Sequence, residues 1–236
     1  MTDQGIVRRR KLPHVDMDGK PYFIAGTLAG SISAAGLRRI DEFRKSLDTR
    51  TKPEGYSDAK WNATKHKLVF RLVDELLDGA CPVSHFKDDR LSKVVANSFL
   101  HFADHRYLLF AFVVMPSHHH WLFLPKESWV VQQAKRHAES AKKKTPREII
   151  SQSTQSFTAT MCNRLLGCTG TFWQPETYDH YARDEDEFLR ILNYIGENPV
   201  KAGLVKRAQD WRWSSAKLRA ELGIEMGAAI PKMVLT

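Results

Sequence analysis

The sequence predicts an α+β sandwich, a sheet of strands covered by helices, and three observations predict it. Tyr107 to Val114 is an almost unbroken apolar run rich in Phe and Val, the composition of a buried strand. Met115-Pro116-Ser117 then reads as a turn, and a second strand-like segment opens at His118. On both sides of this pair, apolar residues recur at three- and four-residue spacing, the period of helices packed by one face. The order strand, helices, strand, strand is that of helices laid on a sheet.

Composition sets the bounds. At 236 residues, 42% hydrophobic and 27% charged, the chain has the make-up of a folded protein with a real core, as one large or two small domains. Apolar runs fall short of the length a bilayer crossing needs, and Met1 to Lys11 lacks the apolar centre of a signal peptide, so a cytoplasmic protein is expected. Cys81, Cys162 and Cys168 are odd in number and have no C-x-x-C spacing, which suits reduced thiols. Lys plus Arg number 36 against 27 Asp plus Glu, a net charge of +9 that favours a polyanionic partner, nucleic acid first.

Along the chain, Arg8, Arg9, Arg10 and Lys11 form a basic arm ahead of a first strand, Tyr22 to Leu28; it is either a solvated tail or a phosphate contact. A helix is expected over Ala34 to Leu47, with Leu37, Ile40, Phe43 and Leu47 on one side, and turn residues follow from Thr49 to Ser57. Asp58 is placed to cap a second helix carrying Leu68, Leu72, Leu76 and Leu77, and the two helices together read as an insertion over about 31–86. A third starts after Asp88-Asp89 and delivers the chain to the Tyr107 strand. Pro125 to Ala141 is helical by pattern. The following Lys142, Lys143, Lys144 and Arg147 form a second basic patch, by default a solvated loop and otherwise a contact to DNA backbone. Ile149 to Leu166 is a further helix closed by Gly167, and Thr177 to Ala182 a last strand carrying His180. Between them Trp173 either stacks on a base or anchors the core.

Strand alternation carries the chemistry. It sends His118 and His120 to one face and His119 to the other, so an H-x-H pair can share one divalent metal. A final helix, with Asp184 to Glu187 in its first turn, brings Tyr194 and Asn198 to one face and is expected to end at Asn198-Pro199. Two imidazoles and a carboxamide oxygen make a mixed N/O set suited to Mg²⁺ or Mn²⁺ and able to accept Zn²⁺. A phenol suits phosphodiester transfer, because it can attack phosphorus and later leave. Packing for the tyrosine and capping for the asparagine are the plainer alternatives.

Val113-Val114-Met115-Pro116-Ser117-His118-His119-His120, Ser156-Phe157-Thr158-Ala159, Asn163-Arg164-Leu165-Leu166-Gly167, Gly170-Thr171-Phe172-Trp173-Gln174 and Tyr194-Ile195-Gly196-Glu197-Asn198-Pro199-Val200-Lys201-Ala202-Gly203 resemble, in order, the REP-associated tyrosine transposases. These belong to the HUH single-strand nuclease superfamily. The likeness runs from about Lys11 to Ala216, ending on Asp210-Trp211-Arg212-Trp213-Ser214-Ser215. It implies a ferredoxin-like α+β core with a central antiparallel sheet, one domain over 1–220 and a C-terminal tail over 221–236. It implies His118, His120 and Asn198 as metal ligands and Tyr194 as nucleophile, with Mg²⁺ or Mn²⁺ as cofactor. The activity implied is cleavage and rejoining of single-stranded DNA at REP-type hairpins through a 5′-phosphotyrosine link, by a monomer or homodimer associated with the nucleoid. Arg8 to Lys11, Lys142, Lys143, Lys144, Arg147, Trp173, Lys201 and Lys206-Arg207 are then the candidates for holding DNA. Three positions depart from the family pattern: His119 where a bulky apolar residue is usual, Ser117 for Asn, and Gln155 for Lys. Two rivals stand beside this reading: a domesticated hairpin binder that does not cut, and a zinc hydrolase using His118, His119, His120 and His180.

Overall fold

The computed structural model describes residues 6–9, 13–136, 144–175 and 177–235. A short hairpin pairs β1 (Ile6–Arg9) with β2 (Pro13–Asp16), so Arg8 and Arg9 fall on a strand while Arg10 and Lys11 lie outside the described residues. The main sheet joins β3 (Tyr22–Thr27), β4 (Tyr107–Val114), β5 (His118–Pro125) and β6 (Tyr178–Tyr181) in the order β4-β5-β3-β6, each pair antiparallel. Taken in chain order, the second, third, first and fourth strands lie side by side. This is the ferredoxin-like order implied by the family resemblance.

The helices are α1 (Ala34–Asp48), α2 (Asp58–Asp78), α3 (Asp89–His101), α4 (Glu127–Arg136), α5 (Pro146–Leu166), α6 (Glu185–Lys201) and α7 (Ser215–Leu222). Alternation along the strands sorts the core into two layers. Tyr22, Ile24, Phe112, Trp121 and Phe123 face α3 and α5 and pack with Phe99, Ile150 and Trp173. Phe23, Ala25, Ala111, Val113 and Leu122 face the other way and meet Leu192 and Ile195 of α6. A third apolar cluster, including Ile40, Leu47, Val69 and Leu72, ties α1 to α2.

Among the departures from the sequence expectation, four have a clear local reason. Ser57 rather than Asp58 caps α2, accepting from the Lys60 amide. α5 begins at Pro146, not Ile149, because Thr145 and Glu148 form a reciprocal capping box with proline at the first helical position. Arg147 and Glu148 therefore sit buried in the first turn of a helix and not in a solvated basic loop. α6 continues through Pro199 to Lys201. Proline there removes one donor, and the Ala202 amide still bonds the Asn198 carbonyl before Gly203 turns the chain at φ 70°. Finally, residues beyond α7 pack on the domain instead of trailing from it. The Ile230 amide bonds the Leu109 carbonyl at 2.7 Å with its side chain buried, and the Leu235 amide bonds Asn97. Arg219 ties this return down by donating to the carbonyls of Glu225, Ala228 and Phe110.

The unusual middle histidine has a structural counterpart. Gly26 lies opposite His119 in the β3–β5 register, and a Cβ at Gly26 would stand 2.3 Å from His119 Nε2. His119 cannot swing aside, since its ring is held edge-on between Phe99 at 5.1 Å and Trp173 at 5.0 Å. Gly26→Ala is expected to destabilise the fold by about 2–3 kcal/mol, as overpacking of a closed core does, read as a lowered midpoint in urea unfolding with an unchanged slope. Gly26→Ala/His119→Ala should recover part of that loss.

Candidate active site

β5 presents His118 and His120 to the face covered by α6 and sends His119 to the opposite core. Their two rings lie 4.9 Å apart, and α2 adds a group the sequence analysis did not single out: Asp74. Its Oδ1 stands 3.3 Å from His120 Nε2 and 3.9 Å from His118 Nε2. Tyr194 and Asn198 of α6 close the set, Tyr194 with its ring 5.4 Å from that of His120 and Asn198 beside His118. All but the partly exposed Tyr194 are sealed from water, His118, His120 and Asn198 at 1% exposure and Asp74 at 2%.

These buried atoms lack partners. Among the described residues, Asp74 Oδ1, His118 Nε2, His120 Nε2, both amide atoms of Asn198 and the Tyr194 hydroxyl find no hydrogen-bond partner. One such group costs about 1–3 kcal/mol, so several gathered at one point mark the place of a missing partner. Ligand atoms of Asp74, His118 and His120 all lie within 4.8 Å of one another. Two imidazole nitrogens, a carboxylate and a carboxamide oxygen are a donor set that fits a divalent cation such as Mg²⁺, Mn²⁺ or Zn²⁺. Ser117 prepares one of them. Its hydroxyl donates to the Leu77 carbonyl at 3.3 Å and lies 3.1 Å from His118 Nδ1. With that one proton used, the hydroxyl accepts from Nδ1–H, which leaves the lone pair on the inward Nε2.

Electrostatics follow from the burial. Burial and the neighbouring His120 push His118 down to about 3, so it is neutral at ordinary pH. For Asp74 burial acts upward, but the close approach of His120 and His118 and the Lys201 ammonium outweigh it, and its carboxyl is held well below the usual range. Burial and then the Asp74 charge push the Tyr194 phenol far above its ordinary value, so it is held protonated. Lys201 donates to Asp74 Oδ2 at 2.9 Å and pairs with Asp78 at 3.2 Å; it serves the acid pair here.

A histidine kept neutral by the fold but protonated in the unfolded chain destabilises the fold in acid. Because the folded value is depressed, nothing is lost above about pH 6.5, and stability falls as pH drops from there towards 3. His119, buried and also held well below its ordinary value, adds in the same window. Each histidine contributes a slope of up to about 1.4 kcal/mol per pH unit. Urea unfolding at pH 7 and pH 5 should show the drop, and His119→Phe should make it shallower.

The remaining candidates fall elsewhere. Trp173 is buried and its indole N–H donates to Thr158, which is the core-anchor alternative. Arg147 is buried 3.5 Å from Asp179 of β6 and does not stand in an exposed basic patch. Lys144 is exposed, whereas Lys142 and Lys143 lie outside the described residues. His180 bonds Glu187 at 2.9 Å and His119 faces the far core, so the four-histidine zinc arrangement is not assembled. Cys81, Cys162 and Cys168 are free thiols. Among the described residues no helix is long and apolar enough to cross a membrane.

No family model matches the chain. A 43-residue stretch, 18% of the chain, is 40% identical to a REP-associated tyrosine transposase of Escherichia coli (strain K12). A stretch of the same length is 42% identical to a putative REP-associated tyrosine transposase of Haemophilus influenzae. The resemblance is to REP-associated tyrosine transposases. The matched stretches span 26% and 24% of those two relatives, about a quarter of their length. A solved structure of a REP-associated tyrosine transposase bound to a REP hairpin aligns over 93% of this chain and 90% of its own, at 15% identity and a TM-score of 0.41.

Proposed function

We propose that the chain is a metal-dependent single-strand DNA endonuclease and strand transferase that acts at REP-type hairpins through a covalent link to Tyr194. The observation that carries this reading is the convergence of the Tyr194 phenol with the unpaired donor atoms of His118, His120, Asp74 and Asn198 in one buried place. Both named relatives and the resemblance of the five sequence blocks point the same way.

His118, His120 and Asn198, with Asp74 as a further donor, are the residues that would hold Mg²⁺ or Mn²⁺. A cation held by these residues would supply positive charge to the site, opposing the burial and the Asp74 charge that raise the Tyr194 phenol above its ordinary value. Tyr194 is the nucleophile: its oxygen forms a bond to phosphorus as the bond from phosphorus to the 3′ oxygen breaks. The phenolic proton is released and the departing 3′ oxygen takes one up, so the step consumes no net proton. The product is a 5′-phosphotyrosine link and a free 3′-OH, and attack by a second 3′-OH reverses the bonding and joins strands without ATP. The rigid β5 and α6 hold the acceptor set, while Phe23 and Phe70, with rings 5.9 and 6.2 Å from that of Tyr194, fix the phenol ring by edge-on packing. Incubation with end-labelled single-stranded hairpin DNA and Mn²⁺ should yield a labelled protein band on a denaturing gel. Binding without that band under any metal or flanking sequence would replace this reading with a hairpin-binding module.

A further inference from the structure

Beyond Tyr178, on the side away from Tyr194, a cavity of about 470 Å³ opens between α2 and the strand β6 that ends the main sheet. α2 lines it with Lys60, His66 and Lys67, and the β6 segment with Tyr178, Tyr181 and Arg183. Its charge is positive on balance. One carboxylate, Glu187, is shared by Lys67 at 2.8 Å, His180 at 2.9 Å and Arg183 at 3.0 Å, and the Asp179 carboxylate is occupied by Arg147. Among the described residues Lys60 meets no carboxylate, its ammonium lying 4.2 Å over the Tyr56 ring.

The wall towards the nucleophile is two aromatic rings thick. Tyr178 stacks on Phe70 at 4.1 Å, and Phe70 stands edge-on to both Tyr194, at 6.2 Å, and His120, at 6.1 Å. A strand whose phosphate reaches Tyr194 must continue into flanking nucleotides, and this groove adjoins that point. Cations beside half-buried tyrosine rings are a pattern that takes a single strand, phosphates on Lys and Arg and bases on Tyr. The volume is that of a small-ligand site.

Resting on the strand-cleavage reading, the geometry points to this groove as the seat of the single-stranded segment next to the phosphate that Tyr194 attacks. Lys60, Lys67 and Arg183 hold its backbone, and Tyr181 takes a base. The sugar-phosphate path along α2 then delivers the scissile bond past Tyr178.

Two variants of the full chain test this by fluorescence anisotropy, with a labelled oligothymidylate and a blunt DNA hairpin without single-stranded flanks as probes. Lys60→Ala/Lys67→Gln, both at exposed positions, should weaken oligothymidylate binding by roughly tenfold and flatten log K against log salt by about 1.4, two contacts at about 0.7 each. Tyr181→Leu, which keeps an apolar side chain on β6, should lose roughly tenfold with the salt slope unchanged, as loss of stacking does. Hairpin affinity should stay within about twofold of wild type. Unchanged oligothymidylate affinity in both variants, an equal loss on both probes, or no wild-type binding of the oligothymidylate would overturn the assignment. The covalent band on flanked hairpin DNA is scored separately in the wild type, so loss of the groove and loss of the cleavage reading give different results.

Discussion

Tyr194→Phe is expected to abolish strand cleavage and the covalent adduct, by at least roughly ten-thousandfold, while leaving the fold intact. The expectation follows from what the hydroxyl does in the resting protein. It is buried without a hydrogen-bond partner, so its removal strands no donor or acceptor and relieves one unsatisfied group. Unfolding stability should therefore be equal to wild type or higher by up to about 1 kcal/mol. The ring meanwhile keeps its edge-on packing against Phe23 and Phe70 and its place beside His120. Denaturing gels with end-labelled flanked hairpin DNA and Mn²⁺, run beside urea unfolding curves, separate the chemical from the structural effect. A Phe variant that still cuts would assign the attack to water or to another tyrosine. One that loses both stability and cutting would mean the hydroxyl has a structural partner.

The parts of this site that could be read from the sequence are those written in a local period. A nearly continuous apolar run gave β4 its place, and the period of two along β5 separated His118 and His120 from His119, because alternation needs no tertiary information. The four-residue spacing of Tyr194 and Asn198 likewise survives any packing, as one helical turn. Asp74 was not legible for the opposite reason. It sits among Leu72, Val73 and Leu77 on α2 with Glu75 and Asp78 beside it, so nothing in the local pattern singles it out, and only folding brings α2 over β5. Arg147 shows a signal hidden by a louder one: the Lys142 to Lys144 run made the segment look solvated, although Thr145-Pro146-Arg147-Glu148 spells a helix start. Residues 224–235 escaped because their apolar positions, Ile230 between alanine and proline among them, follow neither a helical nor a strand period. The burial of Ile230 depends on a strand far away in sequence.

Asp74→Asn should lower Mn²⁺ affinity by roughly a hundredfold and shift adduct formation to correspondingly higher Mn²⁺. Two roles fit the position of this carboxylate, and they predict opposite signs. As a donor, Oδ1 completes the set with His118 and His120, and replacing it by a neutral amide removes the only anion among the donors. As a clamp alone, Asp74 would hold α2 closed through Lys201 and keep the Tyr194 phenol protonated, and its neutralisation would then raise cleavage at a given pH. The donor role prevails on the geometry. Oδ2 already satisfies Lys201 at 2.9 Å, yet Oδ1, turned between the two imidazoles, makes no hydrogen bond, an arrangement with no purpose for a clamp. Stability without metal should fall by only about 1–2 kcal/mol, since Lys201 is nearly half exposed and retains Asp78 at 3.2 Å. Titrating Mn²⁺ against wild type and Asp74→Asn, with melting temperature and adduct yield as parallel readouts, decides between the signs. A variant that cuts faster than wild type at every Mn²⁺ concentration would make Asp74 a restraint on the tyrosine instead of a ligand.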